Sequence, residues 1–128
     1  MAISSKNLLR DVVKVFRDGI KVHYAKGIAC EICGTTESLQ FHHFKTVSIL
    51  IETWIRKQKI VEFRDLEHAQ SVRQLFYDEY WDDMTINGAT LCKTHHEKLH
   101  SVYGKNPSLG TAEKQQRWVE KQKNGLVS

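Results

Sequence analysis

The sequence predicts an α+β fold: a small strand–strand–helix core stapled by a structural zinc knuckle, with flanking helices and a helical insertion. Three observations predict it. Cysteines and a histidine form two pairs at zinc-ligand spacing, Cys30-x2-Cys33 and Cys92-x2-His95. Short strand-like segments, Leu39 to His43 and Ala89 to Cys92, lie beside those pairs. Apolar residues recur at helical spacing before, between and after them.

The elements follow in chain order. Leu8, Leu9, Val12, Val13, Phe16 and Ile20 mark a first helix, with Ser4 or Ser5 as its cap and Gly27 ending the segment. Cys30-Glu31-Ile32-Cys33-Gly34 is a tight knuckle in which Gly34 supplies backbone freedom. Thr35 to Ser38 is a turn, and Leu39 to His43 a strand. Val47, Leu50, Ile51, Trp54 and Ile55 fit one face of an amphipathic helix. Phe63, Leu66, Val72, Leu75, Phe76 and Tyr80 mark a second, less regular one. Asn87-Gly88 is a turn before the second strand. Thr94 would cap a helix running to Tyr103, with Gly104 closing it, and Thr111 would cap a last helix over 112–123. The whole reads as one domain over 1–128: an N-terminal helix (1–27), a core in two pieces (28–43 and 86–104), an insertion (44–85) and a basic C-terminal helix (105–128).

Composition narrows the class. The chain has 128 residues, 41% hydrophobic and 27% charged, which suits a globular domain and excludes a disordered one. No apolar run reaches membrane-spanning length, and the N-terminus lacks a signal-peptide core, so a cytoplasmic protein is expected. Three cysteines cannot form a closed disulfide framework. The net charge of +4 is unevenly spread: residues 1–29 and 93–128 are basic, and residues 30–92 are acidic. Basic ends can attract a polyanion such as nucleic acid, or be an ordinary solvated surface.

The two x2 pairs offer four N/S ligands, the number a closed tetrahedral zinc site takes. A second constellation is His42-His43 with His96-x3-His100. On a helix, positions i and i+4 share a face, so His96 and His100 can hold one ion. His95 lies about 100° around the helix from His96 and can face the knuckle instead. Adjacent strand residues point to opposite sides. One of His42 and His43 can therefore complete the shell while the other stays free as a base. His23 and His68 have no such partners and read as surface or boundary residues.

With these residues in place, the sequence resembles the HNH endonucleases of the ββα-metal fold, of the freestanding phage or mobile type. The resemblance rests on Cys30-Glu31-Ile32-Cys33-Gly34, on Phe41-His42-His43, and on Asn87-Gly88-Ala89-Thr90-Leu91-Cys92-Lys93-Thr94-His95-His96-Glu97-Lys98-Leu99-His100. It spans about residues 28–104 with one large insertion. The resemblance implies His43 as general base and Asn87 as the residue tying the loop between strand and helix. It implies His42, His96 and His100 as ligands of a catalytic divalent ion (Mg²⁺, Mn²⁺, Ni²⁺ or Zn²⁺), with Cys30, Cys33, Cys92 and His95 holding one structural zinc. It also implies DNA as substrate, cut to 5′-phosphate and 3′-hydroxyl ends by nicking or double-strand cleavage, in the bacterial cytoplasm if the chain is phage-encoded. A neutral histidine with a pKa near operating pH would suit the base.

Two departures stand out. Forty-three residues separate His43 from Asn87, where compact members have a short loop. That insertion carries Arg56, Lys57 and Lys59 in its first half and Asp78, Glu79, Asp82 and Asp83 in its second. It is a candidate surface for a homodimer or protein partner, or simply a solvated face. No arginine stands out to hold the scissile phosphate, although Lys45, Lys93 and Lys98 are close in sequence. On the C-terminal helix, Lys114, Arg117, Lys121 and Lys123 are the expected DNA contacts. The competing reading is a non-catalytic zinc module binding nucleic acid or protein. A third is an enzyme acting on RNA or branched DNA.

Overall fold

The computed structural model describes residues 6–58 and 65–127, with side chains over 10–58 and 65–125. The expected caps Ser4 and Ser5, the side chains of Leu8 and Leu9, and Lys59 and Phe63 lie outside these. The elements are α1 (Lys6–Asp18), β1 (Leu39–His43), α2 (Val47–Lys57), α3 (Leu66–Thr85), β2 (Gly88–Cys92), α4 (Lys93–Tyr103) and α5 (Ala112–Val127). Short 3-10 turns occupy Lys21–His23 and Leu109–Thr111. The result is a mixed α+β architecture, and no described helix is long and apolar enough to cross a membrane.

β1 and β2 pair antiparallel, with Leu39 opposite Cys92 and His43 opposite Gly88. Gly88 is obligatory in this register. A Cβ there would sit 2.3 Å from the His42 carbonyl oxygen and 2.7 Å from the Phe41 ring. The knuckle closes through Gly34, whose φ of 78° lies in the left-handed region and whose N–H donates to the Cys30 carbonyl at 2.9 Å.

Two apolar clusters form. In the first, α1 gives Val12 and Phe16, α2 gives Val47, Leu50, Ile51 and Trp54, and α3 gives Ala69, Phe76, Tyr77 and Met84. The second gathers Cys30, Ile32, Phe44, Ala89, Leu91, Cys92, Leu99 and Val119 around the hairpin. The insertion is thus no appendage. Its two helices, as expected in number, build the larger core with α1.

Several boundaries differ from the sequence expectation. α1 stops at Asp18: Gly19 N still donates to Val15 O (3.2 Å), but Ile20 N bonds Arg17 O (3.1 Å) while Phe16 O accepts from the Tyr77 hydroxyl of α3 (2.6 Å). Thr94 does not cap α4. Cys92 occupies that position, with extended backbone (φ -70°, ψ 163°) leading straight from β2 into the helix. Thr111 ends a 3-10 turn rather than capping α5, and its hydroxyl donates to Ser108 O at 2.7 Å. Opposite charges within the insertion pair with each other: Lys57 with Glu79, and Lys45 with Asp83 at 3.5 Å.

Candidate metal centres and catalytic cleft

The knuckle and the start of α4 bring Cys30, Cys33, Cys92 and His95 together, with their ligand atoms all within 4.8 Å of one another. Cys92 Sγ lies 3.3 Å from His95 Nδ1, and Cys33 Sγ lies 3.9 Å from Cys92 Sγ. A tetrahedral zinc with bonds of ~2.0–2.3 Å sets ligand atoms roughly 3.5–3.8 Å apart, so the four residues fit that ion. Burial pushes the Cys30 thiol up, but N–H groups of Cys33, Cys92 and Ile32 outweigh it and hold the group below its ordinary value. That favours the thiolate that a metal takes.

The second cluster joins His42 of β1 with His96 and His100 of α4. His42 Nδ1 and His100 Nε2 each lie 3.0 Å from His96 Nε2. What the outer nitrogens do decides what the inner ones carry. His100 Nδ1 faces the Gly104 carbonyl at 2.8 Å, and a carbonyl only accepts, so Nδ1 holds the proton. His96 Nδ1 donates to Gln40 Oε1 at 2.5 Å. His42 Nε2 donates to Gln115 Oε1 at 2.7 Å. Each inner nitrogen is therefore a bare lone pair. Three lone pairs meeting at this distance repel unless a cation lies among them. A metal with M–N bonds of ~2.0–2.1 Å sets adjacent nitrogens roughly 3.0–3.4 Å apart, which these residues fit. The donor set is all imidazole, with no carboxylate among the described members, which suits Ni²⁺ or Zn²⁺ better than Mg²⁺. Burial pushes His42 down to about 4 and lowers His96, which favours the neutral ring that could bind a metal.

His43 points the other way and meets different partners. Its Nε2 donates to the Met84 carbonyl at 2.8 Å, so Nδ1 carries its lone pair. Tyr24 meets the ring edge-on at 4.8 Å, and Phe41 does so at 5.1 Å. Desolvation, with a smaller contribution from Arg17, pushes His43 down to about 4. The sequence expectation of a pKa near operating pH is not met, because the ring is 9% exposed under those aromatics. His43 is neutral throughout the physiological range instead.

Both histidine sets open into one cleft of about 290 Å³, lined also by Arg17, Tyr24, Lys105, Asn106 and Pro107. Arg17 was missed in the sequence, being 25 residues before His42. It is exposed, and no carboxylate pairs with it among the described residues. Lys93 and Lys98 do not line this cleft, and Lys45 is paired with Asp83. Asn87 stands outside it. Its N–H donates to Asp82 O (2.8 Å), its carbonyl accepts from Phe44 N (3.2 Å), and its side chain donates to Asp83 (3.0 Å). It ties the end of α3 to the hairpin. On the far face of α5, Lys114, Arg117 and Lys121 share a groove with Tyr103 and Trp118, and Lys123 lies beyond it. His23 rests on Trp81, with ring centroids 5.2 Å apart, and His68 lies in the first turn of α3.

The model of the phage T5 family, described as a nicking endonuclease family, matches residues 1–128. No solved structure matches the chain.

Proposed function

The chain belongs to the phage T5 nicking endonuclease family, and from that premise we propose that it nicks DNA by HNH-type chemistry at the His42–His96–His100 centre. The observation that carries this reading is the set of three converging imidazole lone pairs beside a separately held His43. His43 Nδ1 takes a proton from the attacking water, while the Met84 carbonyl holds the ring through Nε2–H. A divalent ion bound by the three histidines would supply Lewis-acid relief for charge on the phosphate and on the leaving 3′ oxygen. Arg17 and Lys105 draw the phosphate into the cleft and offset its charge. Cys30, Cys33, Cys92 and His95 keep the hairpin and α4 in register by holding zinc. Products are a 5′-phosphate and a 3′-hydroxyl. A non-catalytic zinc module would need neither the second ligand set nor a free base, and family membership speaks against it.

Supercoiled plasmid tests the reading. After EDTA treatment and zinc repletion, added Mn²⁺ restores cleavage and nicked circles accumulate before any linear form. His43→Ala lowers cleavage roughly 10²–10⁴-fold, the span of general-base catalysis, with metal affinity retained. His96→Ala weakens metal binding and regains part of its activity at high Mn²⁺. Wild-type cleavage by both variants would place the chemistry elsewhere. Loss of metal in His43→Ala with retention in His42→Ala would exchange their roles.

A further inference from the structure

Gln115 is a polar side chain with 0% exposure, on the buried stripe that α5 makes with Ala112 and Val119. A polar residue so placed needs all its partners, and it has them. Its amide nitrogen donates to the Phe44 carbonyl at 3.0 Å and to Thr111 Oγ1 at 2.9 Å. Its oxygen faces His42 Nε2 at 2.7 Å.

The direction of this chain is determined at one end. The Phe44 backbone carbonyl can only accept, so the Gln115 NH₂ group must face it. The oxygen must then face His42, and only the Nε2–H tautomer of His42 can donate to it. The lone pair is left on Nδ1, the nitrogen that meets His96 and His100. The other tautomer would put a proton where the ion binds and would set an acceptor against Gln115 Oε1.

We propose that Gln115 is a positioning residue of the metal centre: through its amide it selects the His42 tautomer that leaves Nδ1 free to bind a divalent cation. The inference rests on reading His42, His96 and His100 as a metal site. Outer partners of this kind alter metal affinity about 10–100-fold when removed. Gln115 also sits on the helix whose opposite face carries Lys114, Arg117 and Lys121, so one helix carries both the basic residues and the partner of His42.

Two measurements on the zinc-loaded full-length chain test this. Long-range proton–nitrogen NMR on wild type, with zinc at the cysteines and no ion added at the histidine centre, is expected to place the His42 proton on Nε2. A proton on Nδ1 overturns the proposal. Calorimetric Ni²⁺ titration is expected to weaken about 10–100-fold in Gln115→Leu, with His42 shifting toward Nδ1–H, and to stay within a few-fold of wild type in Gln115→Glu, which keeps the acceptor. Unchanged Ni²⁺ affinity and tautomer in a folded, zinc-replete Gln115→Leu overturns it. If Gln115→Leu does not fold, the wild-type tautomer and Gln115→Glu still decide: a Gln115→Glu protein with His42 shifted to Nδ1–H contradicts the proposal. Wild type that takes up no Ni²⁺ beyond its zinc would instead sink the metal-site reading, which the NMR result distinguishes from a failure of Gln115's role.

Discussion

In the helical core, Phe16 meets Trp54 edge-on at 6.2 Å and Phe76 at 5.2 Å, inside a shell of Leu50, Ile51 and Met84. The knuckle core around β2 has smaller means: Ala89, Leu91, Leu99, Val119 and Phe44, with two ligand cysteines among its buried members. Large aromatic groups bury enough apolar area to hold three helices together. A two-stranded hairpin with one short helix does not, and such units borrow stability from a metal. The candidate site lies on the seam. His43 is held by Met84 of the helical core, whereas His96 and His100 ride on α4 of the knuckle core. His43 and the His96–His100 pair are thus anchored by different physics, and the hairpin connects them.

Removing the zinc should break the comparison most severely. Structural zinc in small domains contributes about 10 kcal/mol or more, so Cys33→Ser or prolonged chelation should unfold the knuckle, β1, β2 and α4. Amide exchange read by mass spectrometry is expected to show those segments losing protection while α1, α2 and α3 keep theirs. Equal loss in all segments would mean that the two cores are one cooperative unit.

Trp54→Ala attacks the other side. Deleting a fully buried tryptophan costs about 3–5 kcal/mol. Denaturant unfolding should register that loss, while zinc content under native conditions stays stoichiometric. A variant that drops its zinc without denaturant would show that the helical core holds the knuckle in place.

The smallest effect on the fold is expected from α5. Neutralising Lys114, Arg117, Lys121 and Lys123 together should leave both cores intact. It should reduce the slope of log affinity for DNA against log salt by about 3.6 if all four contact phosphates, since each lost phosphate contact removes roughly 0.9 from that slope. An unchanged slope would move the DNA surface to the cleft side, around Arg17 and Lys105. Arg56 and Lys57 are weaker candidates, because Lys57 is already paired with Glu79.

Ligand chemistry was legible in the sequence because it depends on residue type and short spacing. Cys30-x2-Cys33, Cys92-x2-His95 and His96-x3-His100 each fix their partner within one turn or one knuckle. Strand alternation separated His42 from His43 for the same local reason, and apolar periodicity located α2. Tertiary structure decided what lies far apart in the chain. Arg17 enters the cleft only once α1 has packed on α2 and α3. Gln115 looks in sequence like one more polar residue of a basic helix, and it becomes a partner of His42 only when α5 packs its Ala112–Val119 stripe on the hairpin. The basicity of His43 depends on Tyr24 and Phe41 closing over it. Spacing sets which atoms can meet a shared ion, but desolvation and the choice of tautomer are properties of surroundings, and those surroundings exist only once the helices have packed.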